Sequence, residues 1–196
     1  RMLEFLENHK NQCGIIYCLS RQQTDDLAAK LAEDGYSALS YHAGLTTDER
    51  TKRQELFKND QVKIIVATIA FGMGIDKSNV RYVIHNSLPK NIESYYQETG
   101  RAGRDGLPST ALLFHSTGDL FQLKRFAIIE DNKEQTRIML DKLEKMNSFC
   151  TSYPATFFTA LLPARTIEPS ARTSVNPSTQ YRTPFVNESH RVGKFA

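Results

Sequence analysis

Five short apolar runs, mostly separated by stretches with helical patterning, constrain this chain more than any other feature. They are Gly14–Leu19, Ser37–His42, Lys63–Thr68, Val80–His85 and Ser109–His115. Each has strand length and is bounded by turn or cap residues. After the first run, Ser20 can cap a helix whose apolar face carries Leu27 and Leu31, and Gly35 ends it. After the second, the turn Ala43-Gly44-Leu45 leads into Thr46-Thr-Asp-Glu49, a capping box that opens a charged helix to about Asn59. Strands alternating with helices predict an α/β fold, a doubly wound and mainly parallel sheet with helices on both faces.

In such a sheet, ligands sit beyond the carboxyl ends of the strands. Those ends carry Ser20-Arg21, His42–Gly44, Thr68 and His85-Asn86. Singly, each residue serves as well for an ordinary cap. Together they place polar groups and helix N-termini along one edge, which suits phosphates.

Net charge does not by itself point to a nucleic acid. The formal charge is +3, but five of the 25 basic and two of the 22 acidic residues follow Cys150, leaving 20 of each before it. Any such binding must come from local placement. The hydrophobic fraction of 40% and charged fraction of 24% suit a soluble globular protein. No apolar run approaches a membrane span, and no signal peptide is recognisable. Cys13, Cys18 and Cys150 lack metal-ligand or paired spacing, so buried free thiols in a reducing, intracellular setting are expected. The chain opens at Arg1, already within helical patterning (Met2, Leu3, Phe5, Leu6), which reads as a piece of something longer.

Local placement is concentrated in Gln97-Glu-Thr-Gly-Arg-Ala-Gly-Arg-Asp-Gly106. If the helix begun near Asn91 runs on, Gln97, Arg101 and Arg104 recur at i, i+4 and i+7 along one face. Gly100 and Gly103 leave the backbone bare for close approach. A lone R-x-x-R is an ordinary solvated turn. With the glutamine and two glycines at fixed offsets, it reads as a fork for polyphosphate, because guanidinium groups bind phosphate oxygens bidentately. In Ala67-Thr-Ile-Ala-Phe-Gly-Met-Gly-Ile-Asp76, Gly72 and Gly74 allow a tight turn. There Asp76 suits hydroxyl or arginine partners, or else an Asx turn.

These residues carry a resemblance. The chain is similar to the second RecA-like lobe of superfamily 2 helicases, and most closely to the RecQ family. It rests on GIIYCLSR (14–21), YHAGL (41–45), VATIAFGMGIDK (66–77), SLPKNIESYYQ (87–97) and YYQETGRAGRDG (95–106). It covers roughly Arg1 to Cys150, and DEAD-box RNA helicases share the plan but not the wording of both main motifs.

The resemblance implies a motor lobe of an ATP-dependent 3′→5′ DNA helicase acting in repair and recombination. It makes Arg104 the arginine finger that reaches an ATP site on the facing lobe, and Arg101 its partner on the phosphates or on that lobe. It makes Gln97 a hydrogen-bonding glutamine, and has Asp76 contact ribose or tie two motifs together, with Gly74 beside it. Ser20, Arg21, His42 and Thr68 fall where the family grips the DNA backbone. Expected partners are single-stranded or duplex-junction DNA and the first RecA-like lobe, and no membrane. The location implied is cytoplasmic and nucleoid-associated in a bacterium, or nuclear in a eukaryote.

Equally informative is what the sequence lacks. It has no G-x-x-x-x-G-K-[ST] loop and no Asp-Glu pair placed for Mg²⁺, so ATP and Mg²⁺ are expected to bind mainly on the first lobe. The isolated chain is expected to be inactive. A different class remains open: a non-catalytic nucleic-acid-binding or partner-binding fragment of a degenerate helicase. The expected organisation is a helicase C-terminal domain over 1–117, a helical extension over 118–150 and a flexible tail over 151–196. The extension leads, by resemblance, towards a zinc module, but no cysteine follows Cys150 and no zinc or other metal is expected. Five of the seven prolines lie in the tail, which lacks periodicity. Its apolar patch Phe157–Leu162 is too short for a domain, and the sequon at Asn187 reads as chance.

Overall fold

The computed structural model describes residues 2–72, 76–114, 116–129, 132–152 and 160–162. Helix α1 (Met2–Asn8) leads into β1 (Cys13–Tyr17), α2 (Arg21–Glu33), β2 (Ala38–Tyr41), α3 (Thr47–Lys58), β3 (Ile64–Ala67) and β4 (Val80–His85). There follow α4 (Ile92–Thr99), β5 (Ser109–Leu113), α5 (Thr117–Ala127), α6 (Lys133–Thr151) and β6 (Ala160–Leu162). The predicted caps form as read. Ser20 accepts from the Gln23 amide, Thr46 and Glu49 close a capping box, and Gly35 follows α2 with φ of +84°.

The sheet order is β2-β3-β1-β4-β5-β6, and the first five strands are parallel. Alternation along β1 divides the core. Ile16 faces a cluster with Leu6 of α1 and Ala28 and Leu31 of α2. Ile15 and Tyr17 face the other side with Phe57 of α3, Phe71 and Ala102. The strands are buried on both faces, which is why they read as near-continuous apolar runs. A third cluster joins Leu88, Tyr95 of α4 and Leu113 of β5 to Leu123 of α5 and Leu143 and Met146 of α6.

β6 lies inside the segment read as a tail, and it pairs antiparallel with β5, Ser109 opposite Leu162 and Ala111 opposite Ala160. The signal was too weak to read: three residues carry no periodicity, and the pairing partner lies about fifty positions away. The remainder of 153–196 lies outside the described residues.

The amino end of the sheet is tied by one carboxylate. Asp60, at φ of +61°, accepts from the Cys13 thiol at 2.9 Å and from the buried Lys77 ammonium at 3.1 Å. These bonds, with the charge of Lys77, hold its carboxyl well below the usual range. Lys77 also lies 5.1 Å over the Phe57 ring. Because the folded-state value is depressed, this stabilisation is complete above about pH 4 and is lost as the pH falls towards the folded value. Asp60→Asn, which still tolerates a positive φ, should cost about 1–2 kcal/mol at neutral pH, since Asp60 is nearly half exposed while Lys77 is not. Thermal melts from pH 7 to pH 3 should show the variant losing less stability on acidification than the wild type.

Candidate functional site

The segment from Gln97 to Gly106 folds differently from the single helical stripe that its spacing predicts. α4 ends at Thr99 with Gly100 as its cap, and residues 101–105 form consecutive turns. Gly103, at φ of +67°, donates its N–H to Val80 O at 2.9 Å. A side chain there would also meet Ser109 Oγ at 2.7 Å. The Arg81 guanidinium reaches Asp105 in an ion pair and Pro108 O at 3.3 Å. The glycines weaken the helix, and the bonds to Val80 and Arg81 of β4 provide a better alternative. Gln97, Arg101 and Arg104 therefore do not share one helical face.

The turn divides its two arginines. Ala102, between them, is buried in the sheet-face core and pins the turn. Arg101 is half-buried. Its Nη2 would lie 2.8 Å from a Cβ at position 72, so Gly72 leaves the space that it fills. Its guanidinium also sits beside the Tyr17 hydroxyl, and its Nε is buried without a hydrogen-bond partner. Arg104 is exposed, with Nε donating to Gly100 O at 3.4 Å. Gln97 is exposed on α4.

Behind the turn lies a buried polar stack. His85 Nε2 is 2.7 Å from Glu98 Oε2, and both residues are almost inaccessible. The Tyr17 ring stacks on His85 at 5.3 Å, and the Tyr95 ring tilts against it at 5.1 Å. Tyr17 donates its hydroxyl to Phe71 O at 3.0 Å, and burial pushes its phenol well above the usual value. Sequence reading placed His85 at a strand end but passed over Tyr17 and Glu98. The signal was present for Glu98, which stands three positions after Tyr95 and so shares its inward face on α4.

Along the carboxyl edge, Ser20 is partly exposed and its Oγ caps α2. Arg21 is exposed and its side chain lies against Gly44, with Nη1 3.2 Å from the position of a Cβ there. Thr68 is partly exposed, and its Oγ1 accepts from the Ala70 amide at 3.4 Å. His42, by contrast, is buried. Nε2 meets the Asp25 carboxylate at 3.0 Å, and Nδ1 accepts from the Gly44 amide at 3.1 Å. Its ring thus shapes the 42–45 turn, and Asp25, missed in the sequence, completes that link. Burial opposes ionisation of Asp25, but bonds from Ser40 and His42 prevail and lower its value. Asp76 is exposed, and Gly74 lies outside the described residues. Ser20, Arg21 and Thr68 follow the carboxyl ends of the adjacent strands β1 and β3, while Arg101 of the arginine turn packs against Gly72.

A cleft of about 110 Å³ opens beside this edge between Leu19, Ile69, Leu88, Pro89, Lys90 and Ser94. Burial pushes the Cys13, Cys18 and Cys150 thiols up to about 11, 12 and 11, so none is poised as a thiolate. Among the described residues, no cluster of His, Cys, Asp and Glu could hold a metal ion. No described helix is long and apolar enough to cross a membrane. Chemically, the site offers an exposed guanidinium on a rigid turn beside a polar sheet edge.

Comparison with known proteins bears on the family and the fold. The helicase conserved C-terminal domain family matches residues 1–106. An ATP-dependent DNA helicase RecQ of Pasteurella multocida is 47% identical over 152 residues, 78% of this chain and 24% of that protein. A RecQ-like DNA helicase BLM of Xenopus laevis is 48% identical over 147 residues, 74% of this chain and 11% of that protein. The chain spans about a quarter of the length of the bacterial relatives. Among solved structures, a DEAD box protein from Methanococcus jannaschii matches with a TM-score of 0.54 and 31% identity, over 64% of this chain and 35% of that one. Domain 2 of the DEAD-box helicase Mss116p, bound to an RNA duplex, matches with a TM-score of 0.53 and 26% identity, over 63% and 49%. The chain belongs to the helicase conserved C-terminal domain family, and within it is a RecA-like second lobe of RecQ type.

Proposed function

We propose that this chain serves as the second motor lobe of an ATP-dependent DNA helicase, with Arg104 as the arginine finger. The observation that carries this is the division within the turn. Arg101 is sunk against Gly72 and Tyr17, whereas Arg104 stands exposed on a backbone fixed by Ala102 and by the Gly103 bond to β4. Phosphoryl transfer needs little beyond positioning and charge neutralisation, and a guanidinium supplied across an interface fits that need. Residues for a P-loop are absent from the sequence, so ATP and Mg²⁺ would be held on a facing lobe, with this chain completing the site. Arg101 then acts from within, fixing the turn and adding positive potential. Gln97 and Asp76, both exposed, are available to the same interface.

For the strand grip, the proposal assigns Ser20, Arg21 and Thr68 to direct contact and His42 to shaping the loop that contacts. The DNA substrate, the 3′→5′ polarity and the place in repair and recombination come from likeness to RecQ proteins. Movement would follow from the split site, because ATP closes two lobes and hydrolysis lets them reopen.

Two experiments test this reading. In a two-lobe protein carrying this chain beside a P-loop lobe, Arg104→Ala should lower kcat by roughly 10³ or more while ATP binding changes little. Arg104→Lys should not restore it, because an ammonium lacks the planar fork. Near-normal turnover with lost DNA binding would reverse the assignment. Separately, this chain should bind single-stranded DNA weakly, with an affinity that falls steeply with salt and barely depends on sequence. A fluorescence titration at several salt concentrations that showed salt-insensitive binding would exclude a phosphate-based grip.

A further inference from the structure

The turn that carries Arg101 and Arg104 begins at a buried carboxylate. Glu98 occupies the last turn of α4, and its backbone carbonyl accepts the Arg101 amide at 3.3 Å. Its side chain is 10% exposed and meets His85 Nε2 at 2.7 Å, although taking a carboxylate out of water is costly. His85 is in turn clasped between Tyr17 and Tyr95. Tyr17 extends the link, since its hydroxyl donates to Phe71 O, one residue before the Gly72 against which Arg101 packs. One stack therefore joins the end of β1, the end of β4, the 68–72 loop and the root of the arginine turn.

We propose that Glu98, gripped by His85 and backed by Tyr17, is a positioning residue that sets the direction in which the turn presents Arg104. The inference rests on the reading of Arg104 as the residue that serves ATP turnover. α4 cannot swing or rotate its last turn without breaking the Glu98–His85 bond, and the 68–72 loop cannot shift without breaking the Tyr17–Phe71 bond. The stack touches neither nucleotide nor DNA in this reading. It acts only through the position of the two arginines, so its loss should change turnover and leave ATP affinity alone.

The test uses the same two-lobe protein and measures kcat, KM for ATP and melting temperature. Glu98→Ala should lower kcat about tenfold with KM within about twofold, because small misplacements of a catalytic group are expensive in rate. Glu98→Gln keeps an oxygen that can accept from His85 Nε2–H, and should return kcat to within about twofold of wild type. Tyr17→Phe keeps the stacked ring and loses the hydroxyl. It should lower kcat about fivefold at unchanged KM, and it decides the matter if Glu98→Ala does not fold. Wild-type kcat in both Glu98→Ala and Tyr17→Phe, or a drop matched by an equal loss of ATP affinity, would overturn the proposal. Arg104→Ala, run in parallel, separates the two levels. If it abolishes turnover while the stack variants are silent, only the positioning role fails. If it leaves turnover intact, the reading beneath fails and the positioning role fails with it.

Discussion

The parallel register at the carboxyl end of the sheet governs the placement of everything that matters here. It aligns Tyr41 with Ala67, Ala67 with Tyr17, Tyr17 with His85 and His85 with Leu113 in one row across five strands. Because side chains alternate along a strand, a slip of one residue would send this row to the opposite face. The loops that leave the row are short, so register alone fixes where Ser20, His42, Thr68 and Asn86 emerge. On the inner side, the same row gives Tyr17 and His85 their stacking contact. That contact supports α4, and α4 delivers the arginine turn. The sheet edge and the turn are thus positioned by one set of hydrogen bonds.

Burial then separates the two arginines by task. Arg101 is half-buried with an unpartnered Nε, and such a group is expensive unless something in its surroundings offsets it. The nearby polar atoms are the Tyr17 hydroxyl and the buried Glu98 carboxylate, which lies close enough to influence that phenol. Arg104 escapes this cost because it stays in water. An arginine proposed to cross to a facing lobe needs a low cost of display and a fixed backbone, and the turn supplies both. Without Ala102 in the core, an exposed guanidinium on a glycine-flanked turn would wander.

Most of the fold was legible because its signals are local. Apolar runs, the Thr46–Glu49 capping box and the Ser20 cap each act within a few residues. Two features of the structure arise instead from non-local contacts. A helix running on from Gln97 to Arg104 is compatible with the local spacing, but the Gly103 amide finds Val80 O, twenty-three positions upstream, and Arg81 finds Asp105. Propensity saw only two glycines in an otherwise helical spacing. β6 falls within the segment read as a tail, and a three-residue edge strand owes its existence to a partner and not to its own pattern. Site residues divided in the same way. Ser20, Arg21 and Thr68 follow strand ends that local pattern already marks, whereas the direction of Arg104 depends on contacts distant in sequence. The burial of His42 depends on Asp25, seventeen residues earlier, which no motif flags.

Charge bookkeeping supports the same view of the site as something built locally. Twenty acids and twenty bases over the first 150 residues leave no long-range field to steer a polyanion. Many of those charges are consumed in pairing: Lys77 with Asp60, Arg81 with Asp105, Arg53 with Ser40 and Glu49. Local potential then depends on geometry, on an Arg21 laid along Gly44 and an Arg104 exposed on a pinned turn. Such an arrangement attracts a polyanion little at a distance and more at contact.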